Sequence, residues 1–319
     1  MENMLCLVIG GSGFIGSHIL DSLIARGYRV RVVGRREPAQ EMPRNVEYIR
    51  GDYADSNLID RALMNVGAVF HCASATFPST APDAPFKEVH ENLLPTLTLL
   101  KAMERQDVRR IIYLSSGGTV YGMVGSEPTT ERHPLRPCSA YGITKVSIES
   151  YLQNYGKVYG FLPLIIRPSN PYGERQGHVG VQGAISTFLH RIARDETIEI
   201  WGDGSIIRDY IYVQDVAEIA VTAFEKGLTG ALNAGSGRGV SIVDLLKEIE
   251  VVTGRQPRAE YKPSRVVDIP VSFLNMSKVE SLLDWKGGTQ LSEGLASTWR
   301  WILEGVVRTQ EKEFEDFPY

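Results

Sequence analysis

A glycine-rich turn between a short apolar run and a helical pattern is the feature that most constrains this chain. The run Leu5–Ile9 predicts a buried strand, and Gly10, Gly13 and Gly16 follow it with the spacing Gly-x-x-Gly-x-x-Gly. Glycines at these places permit a tight turn, a close approach of the backbone to a pyrophosphate, and close packing of a helix on a strand. The motif therefore predicts a dinucleotide site at the start of the first helix; the alternative is a turn with only a structural role.

Strand and helix patterns alternate through the first half of the chain. Further strands are predicted at residues 28–33, 46–49, 68–72, 110–114 and 162–166, and helices at residues 14–26, 57–65, 85–105 and 141–159. Strands separated by helices form a parallel sheet that is covered on both faces. We therefore expect an α/β fold of the Rossmann type, built on a doubly wound parallel sheet.

The pattern becomes less regular after Arg167, which indicates a second, smaller unit. Helices are predicted near residues 182–194, 213–226, 242–253, 276–283 and 292–304, with short strands between them. We expect residues 1–168 to form the NAD(P)-binding domain and residues 169–319 to form mainly a substrate-binding lobe. A segment near residues 231–234 is expected to return to the first sheet.

The composition is that of an ordinary globular protein and excludes several classes of function. The chain of 319 residues is 43% hydrophobic, and its net charge of -4 comes with dispersed basic residues, so no nucleic-acid partner is expected. No apolar run approaches the ~18 residues that span a bilayer, and no cleavable signal pattern is present. Three separated cysteines give neither a disulfide framework nor a metal-ligand spacing. We expect a cytoplasmic protein with no membrane partner and no metal.

The end of the second predicted strand bears on the choice between NAD and NADP. An acidic residue there would bind the adenosine ribose, but this chain has Gly34 followed by Arg35 and Arg36. Arginines can bind a 2′-phosphate, which slightly favours NADP; the alternative is that both are solvated and NAD binds. Asp52, with Tyr53 beside it, is placed to contact the adenine, although an aspartate there is also typical of a turn.

Tyr141 and Lys145 lie four residues apart in a predicted helix and therefore share one face of it. A nearby ammonium favours the phenolate and lowers the pKa of a tyrosine, which would let Tyr141 exchange a proton with a substrate hydroxyl. An isolated pair of this kind also arises by chance on amphipathic helices.

An ordered set of motifs resembles the extended short-chain dehydrogenase/reductases, and most closely the NAD-dependent nucleotide-sugar epimerases and dehydratases. The resemblance covers nearly the whole chain. It rests on the glycine motif, the Tyr141/Lys145 pair, His71-Cys72-Ala73, Asn92, residues 115–122, residues 167–173, Gly202-Asp203-Gly204, Arg208-Asp209-Tyr210, and Arg265 with Asp268.

This resemblance implies a role for each matching residue. Tyr141 would be the base, and Lys145 would bind the nicotinamide ribose and lower the tyrosine pKa. The remaining cofactor contacts would include Phe14, Ile15, Ala73 and Asn92. The substrate contacts would be Asn170 on the nucleotide diphosphate, Arg208 and Arg265 on the pyrophosphate, and Asp268. The family also implies a UDP-linked substrate and a homodimer formed through the helices at residues 85–105 and 141–159.

The chain departs from the family pattern at Gly117, where a serine or threonine usually stands four residues before Tyr121. Ser116 and Thr119 are the candidates to relay the proton, and Thr119 is preferred because it should share the inward side of the segment. Both could instead be strand-end hydroxyls bonded to backbone. Gly118 and Thr119 stand where dehydratases carry an Asp-Glu pair, which disfavours dehydration.

These features predict a nucleotide-sugar 4-epimerase that works through a transient 4-keto intermediate with tightly bound NAD(P). One alternative is an NADP-dependent nucleotide-sugar or carbonyl reductase, which Arg35 and Arg36 favour. Another is a non-catalytic dinucleotide-binding sensor, to which Gly117 points. The intact Tyr141/Lys145 pair argues against a sensor, since a sensor needs no activated phenol.

Overall fold

The fold is described from a computed structural model, for residues 4–35, 43, 45–76, 85–177, 183–264 and 269–315, with side chains described as far as residue 305. The strands are β1 (Leu5–Ile9), β2 (Arg29–Gly34), β3 (Val46–Arg50), β4 (Ala68–His71), β5 (Arg110–Leu114), β6 (Leu162–Pro168), β7 (Asn170–Tyr172), β8 (Ile198–Trp201), β9 (Ile207–Tyr212), β10 (Gly230–Ala234), β11 (Gly239–Ser241), β12 (Ala259–Lys262) and β13 (Val271–Ser272). The α-helices are α1 (Phe14–Ala25), α2 (Ser56–Ala62), α3 (Pro85–Glu88), α4 (Leu94–Arg105), α5 (Ala140–Tyr159), α6 (Ala184–Ala193), α7 (Val213–Glu225), α8 (Ile242–Thr253), α9 (Ser277–Leu283) and α10 (Leu291–Glu315).

A seven-stranded parallel sheet with the order β10-β6-β5-β4-β1-β2-β3 forms the centre of the molecule. The predicted Rossmann-type α/β fold is confirmed. Strand β10 lies beside β6, at the place where the sequence indicated a return to the sheet. The strand order reverses at β1, which has β2 on one side and β4 on the other, and ligands of such sheets bind at the carboxyl ends of the strands around this point.

Helices cover both faces of the sheet. Since successive side chains of a strand point to opposite sides, each strand contributes to both cores. On one face Leu7 packs in a core with Leu99 of α4 and Leu152 of α5. On the other face Val8 packs in a core with Ile19 of α1 and with residues of α7. Strand β1 is therefore apolar throughout, as its sequence required.

The predicted helix at residues 85–105 is interrupted by a π-helix, Val89–Leu93, between α3 and α4. Pro95 lies at the start of α4 and has no N–H to donate to the carbonyl of Glu91. The Tyr53 hydroxyl donates to that carbonyl instead, at 3.2 Å. The wider turn brings Glu88 and Asn92 into the interior, where both are buried.

The carboxyl-terminal part of the chain builds two small sheets around a core of its own. Strand β9 pairs with β7, β11 and β13, and β8 pairs with β12. Ile198, Leu245 and Leu295 are fully buried in this core. Helix α10 continues beyond the predicted end at residue 304. None of the helices in the described part of the chain combines the length and apolar character that crossing a membrane requires.

Candidate active site

The glycine turn leaves the amino terminus of α1 open to an anion. Gly10 has a φ of +82°, and a Cβ atom there would lie 2.8 Å from the backbone nitrogen of Ala73. A Cβ atom at Gly16 would overlap the carbonyl oxygen of Gly10. Gly13 occupies the N-cap position of α1 without a side-chain cap, and no acidic residue follows in the first turn. The free amides of this turn, including those of Phe14 and Ile15, therefore fit the pyrophosphate of a dinucleotide.

Asn92 holds the loop that follows β4. Its Oδ1 accepts a hydrogen bond from the Ala75 amide at 2.9 Å. Its Nδ2 donates to Thr76 Oγ1 at 2.9 Å and to Glu88 Oε2 at 3.1 Å. Since its polar side-chain atoms already have partners, Asn92 shapes the loop beside Ala73 rather than presenting a free amide group.

The residues predicted to surround the adenosine lie at and just after the ends of β2 and β3. A Cβ atom at Gly34 would lie 2.6 Å from the Tyr48 hydroxyl oxygen, so a side chain there would displace that ring. Arg35 Nη1 lies 3.8 Å from Asp52 Oδ2, with both side chains exposed. Tyr53 is a core residue, 8% exposed, and its role as a cofactor contact stays a prediction. Arg36 lies outside the described residues.

Tyr141 and Lys145 are brought together at the start of α5. Ser139 caps this helix by accepting a hydrogen bond from the Gly142 amide at 3.1 Å. Lys145 Nζ donates to the carbonyl of Leu114, at the end of β5, at 2.9 Å. The same nitrogen lies 5.4 Å from the centre of the Tyr141 ring, and both residues are buried. The helix thus presents both side chains at the carboxyl end of the central sheet.

Burial dominates the electrostatics of this pair. It lowers the pKa of Lys145 to about 8, because an ammonium loses its hydration there. It raises the pKa of Tyr141 above its ordinary value, and the charge of Glu88 acts in the same direction. The expected lowering of the Tyr141 pKa is therefore wrong for this structure. The Ser116 and Ser74 hydroxyls oppose the rise of this pKa, since hydroxyl groups beside a phenol favour the phenolate.

The Ser116 hydroxyl, and not that of the preferred Thr119, acts to lower the pKa of Tyr141. Thr119 Oγ1 is buried and has no hydrogen-bond partner among the residues that the structure describes. Ser74 was missed by the sequence reasoning. Its position after the His71-Cys72-Ala73 motif was a signal that a second hydroxyl could approach the site.

Gly117 is required by packing. A Cβ atom there would lie 2.7 Å from Leu274 Cδ1, 2.8 Å from the Arg167 carbonyl oxygen and 3.1 Å from the Pro168 carbonyl oxygen. The Gly117 amide also donates to the Pro168 carbonyl at 2.7 Å. The two carbonyls belong to β6 and cannot move without disturbing the sheet. The hydroxyl that the family usually places here has no room in this chain.

Gly117→Ser is therefore expected to destabilise the protein by about 1–3 kcal/mol, the usual effect of overpacking, without raising kcat. Urea unfolding and a rate assay measure the two quantities. Gly118→Ser is the matched control, because a Cβ atom there has its closest neighbour at 3.5 Å. A Gly117→Ser protein that is as stable as the parent and faster would show that the missing hydroxyl, and not the packing, governs this position.

The residues expected to bind the substrate diphosphate lie on neighbouring strands. Asn170 of β7 donates to the Asp209 carbonyl of β9 at 2.9 Å. Arg208 of β9 donates from Nη1 to the carbonyls of Ile207 and Ile269, at 2.9 and 2.6 Å. Arg265 and Asp268 lie outside the described residues. A cavity of about 820 Å³ opens beside the start of β9, and its lining includes Gly202, Ser205, Ile206, Tyr261 and Pro270.

Residues 6–235 match the family described as NAD dependent epimerase/dehydratase. The chain belongs to this family. A UDP-glucose 4-epimerase of Mycolicibacterium smegmatis is 33% identical over 304 residues, which are 92% of this chain and 97% of that protein. The crystal structure of a Thermotoga maritima UDP-glucose 4-epimerase with UDP-glucose is similar with a TM-score of 0.90 at 34% identity, covering 95% of this chain and all of that one. The crystal structure of a Thermus thermophilus UDP-glucose 4-epimerase with NAD has a TM-score of 0.88 at 32% identity, covering 94% of this chain and 99% of that one.

A buried ionic network ties α5 to the sheet. Arg167 of β6 contacts Glu149 of α5 through two hydrogen bonds, of 2.5 and 3.1 Å. Ser115 Oγ donates to the same carboxylate at 2.5 Å, and Arg167 Nη1 donates to the Tyr121 hydroxyl at 2.9 Å. The network fixes the helix that carries Tyr141 against the strand ends that carry the hydroxyl groups.

Proposed function

We propose that this protein is a nucleotide-sugar 4-epimerase that acts on UDP-linked sugars through a transient 4-keto intermediate. The observation that carries the proposal is the buried Tyr141/Lys145 pair, set beside a dinucleotide turn in a member of this family. The relatives named above are UDP-glucose 4-epimerases. The Thermotoga maritima structure holds UDP-glucose, and the Thermus thermophilus structure holds NAD.

The protein's own groups would hold and move the proton. When bound, the nicotinamide cofactor supplies reversible hydride acceptance, so the cofactor is unchanged over a complete turnover. Lys145 is cationic below its pKa of about 8. Its ammonium lies 5.4 Å from the centre of the Tyr141 ring and would favour the phenolate against the burial that disfavours it. Tyr141 then takes the proton of the sugar hydroxyl and later returns it. The Ser116 and Ser74 hydroxyls would favour the charged form of the phenol.

The carboxyl-terminal lobe would hold the nucleotide part of the substrate. Arg208 offers a forked cation for the diphosphate, and Asn170 lies on the strand beside it. The cavity next to β9 falls within the roughly 300–1,000 Å³ that small-molecule sites occupy. Arg265 and Asp268 keep the substrate-binding roles that the family resemblance implies.

The cofactor would be NAD rather than the slightly favoured NADP. Arg35 lies 3.8 Å from the Asp52 carboxylate. A 2′-phosphate bound by Arg35 would approach that negative charge, whereas the uncharged ribose of NAD would not. The NAD complex of the Thermus thermophilus relative supports the same choice.

The protein would act as a cytoplasmic homodimer. Large apolar side chains are exposed on the outer faces of two helices, at Leu94 of α4 and at Ile143, Tyr151 and Val158 of α5. An apolar surface shared by neighbouring helices is suited to four-helix packing against a second copy. The free thiols of the three cysteines are in keeping with a reducing compartment.

The test is to incubate the purified protein with UDP-glucose and, separately, with UDP-N-acetylglucosamine. We expect the 4-epimer to form without added NADH or NADPH, and native mass spectrometry to show a dimer that carries NAD. Stoichiometric consumption of NADH or NADPH would instead identify a reductase. A protein that carries NAD and converts neither sugar would favour the sensor.

A further inference from the structure

A small cavity lies behind Lys145, and several of the polar groups around it lack partners. His71, Glu88, Tyr113 and Lys145 are among its lining residues. His71 Nδ1, Glu88 Oε1 and the Tyr113 hydroxyl are buried without a hydrogen-bond partner among the described residues. Buried polar atoms are normally paired, so this concentration next to the proton-exchanging pair calls for a functional reason.

Glu88 is the acidic residue of this cavity. It is 1% exposed and ends α3, where the π-helix begins. Its Oε2 accepts a hydrogen bond from Asn92 Nδ2 at 3.1 Å, and its Oε1 lines the cavity without a partner. Burying a carboxylate is costly unless a positive charge compensates it.

The other titratable groups around the cavity carry no net charge. Burial lowers the pKa of His71 to about 3, so the imidazole is neutral. Burial raises the pKa of Cys72 to about 12 and also raises the pKa values of Tyr53 and Tyr113, so these three groups keep their protons. Glu149 is neutralised by Arg167, with which it forms a buried ion pair of 2.5 Å. Lys145 and Glu88 are the two oppositely charged side chains among the described residues that line the cavity itself.

We infer that Glu88 is a positioning residue whose carboxylate is the buried counter-charge that keeps Lys145 protonated. Lys145 Nζ reaches the Leu114 carbonyl on one side and lines the same cavity as Glu88 on the other. An opposite charge favours the ammonium against the burial that disfavours it. The inference rests on the proposed function in that Lys145 must be cationic for Tyr141 to act.

Glu88 and burial act on the pKa of Lys145 in opposite directions. Glu88 raises the pKa of Lys145, and burial lowers it to about 8 in total. Glu88 is the largest of the influences that oppose the burial, so removing its carboxylate lets the lysine lose its proton at a lower pH. Activity that depends on the ammonium is then retained in acid and lost earlier as the pH rises. Glu88 also raises the pKa of Tyr141, so its removal does not by itself hinder formation of the phenolate.

The test compares Glu88→Gln with the parent enzyme from about pH 6 to about pH 10, since a general-base mechanism is reported by its pH profile. Glutamine keeps the acceptor for Asn92 and removes only the charge. On the alkaline side of the profile, we expect the pH at which kcat falls to be lower by about one unit or more. The acid side of the profile should change little. Glu88→Asp should restore the alkaline limb in part. Glu91→Gln, in the π-helix that follows Glu88, is the control and should leave the alkaline limb in place.

A second readout separates this inference from the proposed function. The fraction of NAD that stays bound through gel filtration is measured at each pH, because Lys145 would also hold the nicotinamide ribose. Earlier loss of NAD from Glu88→Gln supports the counter-charge even if no sugar is epimerised. A rate profile that is lowered equally at every pH, or NAD retention and rates that match those of the parent, overturns it.

Discussion

Tyr141→Phe is expected to lower kcat by about 10³-fold or more, since the substitution removes the hydroxyl that we propose exchanges the proton. The ring fits the same space, and Lys145 keeps its hydrogen bond to the Leu114 carbonyl. The fold and the bound cofactor should therefore survive. A steady-state assay with the epimerised UDP-sugar measures the rate, and native mass spectrometry of the same sample measures the cofactor.

Tyr155→Phe is the matched control for this substitution. Tyr155 lies on the same helix, is buried, and packs against Tyr159 and Phe161 away from the catalytic pair. It should change kcat little. A Tyr141→Phe protein with near-parental turnover would remove the tyrosine from the mechanism, and one that has lost its cofactor would assign Tyr141 to binding instead.

The local patterns of the sequence were sufficient to predict the fold. The glycine turn and the alternation of strands and helices are short-range signals, so the Rossmann-type sheet could be predicted with small errors at element ends. The interruption at Val89–Leu93 was not predicted. Pro95 follows it inside an otherwise helical pattern, and the outcome depended on Tyr53 being close enough to satisfy the freed carbonyl of Glu91.

The candidate site was predictable where its residues are close in sequence. The spacing of Tyr141 and Lys145 fixes their common face on any helix. The direction of the tyrosine pKa shift was not predictable, because it depends on burial by residues distant in the chain. The influence of Ser74 on the Tyr141 pKa and the crowding of Gly117 by Leu274 likewise arise only when separate segments meet.

Glu149→Gln is expected to destabilise the protein by about 3–5 kcal/mol, the usual effect of removing one partner of a buried ion pair. Glu149 is 0% exposed and Arg167 is 3% exposed, so the guanidinium would be left without its charge partner in the interior. Ser115 would also lose its ionised acceptor. Urea unfolding followed by circular dichroism measures the loss.

Asp60→Asn is the matched control, because it removes the carboxylate of the exposed Arg105–Asp60 pair, whose 2.8 Å contact lies in solvent. That substitution should cost less than about 1 kcal/mol.

A double variant, Glu149→Leu with Arg167→Met, removes both charges together and should recover much of the stability that Glu149→Gln loses, since no unpaired charge then remains buried. The double variant should still be slower than the parent, because the network that holds α5, and with it Tyr141, against β5 and β6 is gone. If Glu149→Gln cost no more than Asp60→Asn, the buried pair would be irrelevant to the stability of the fold.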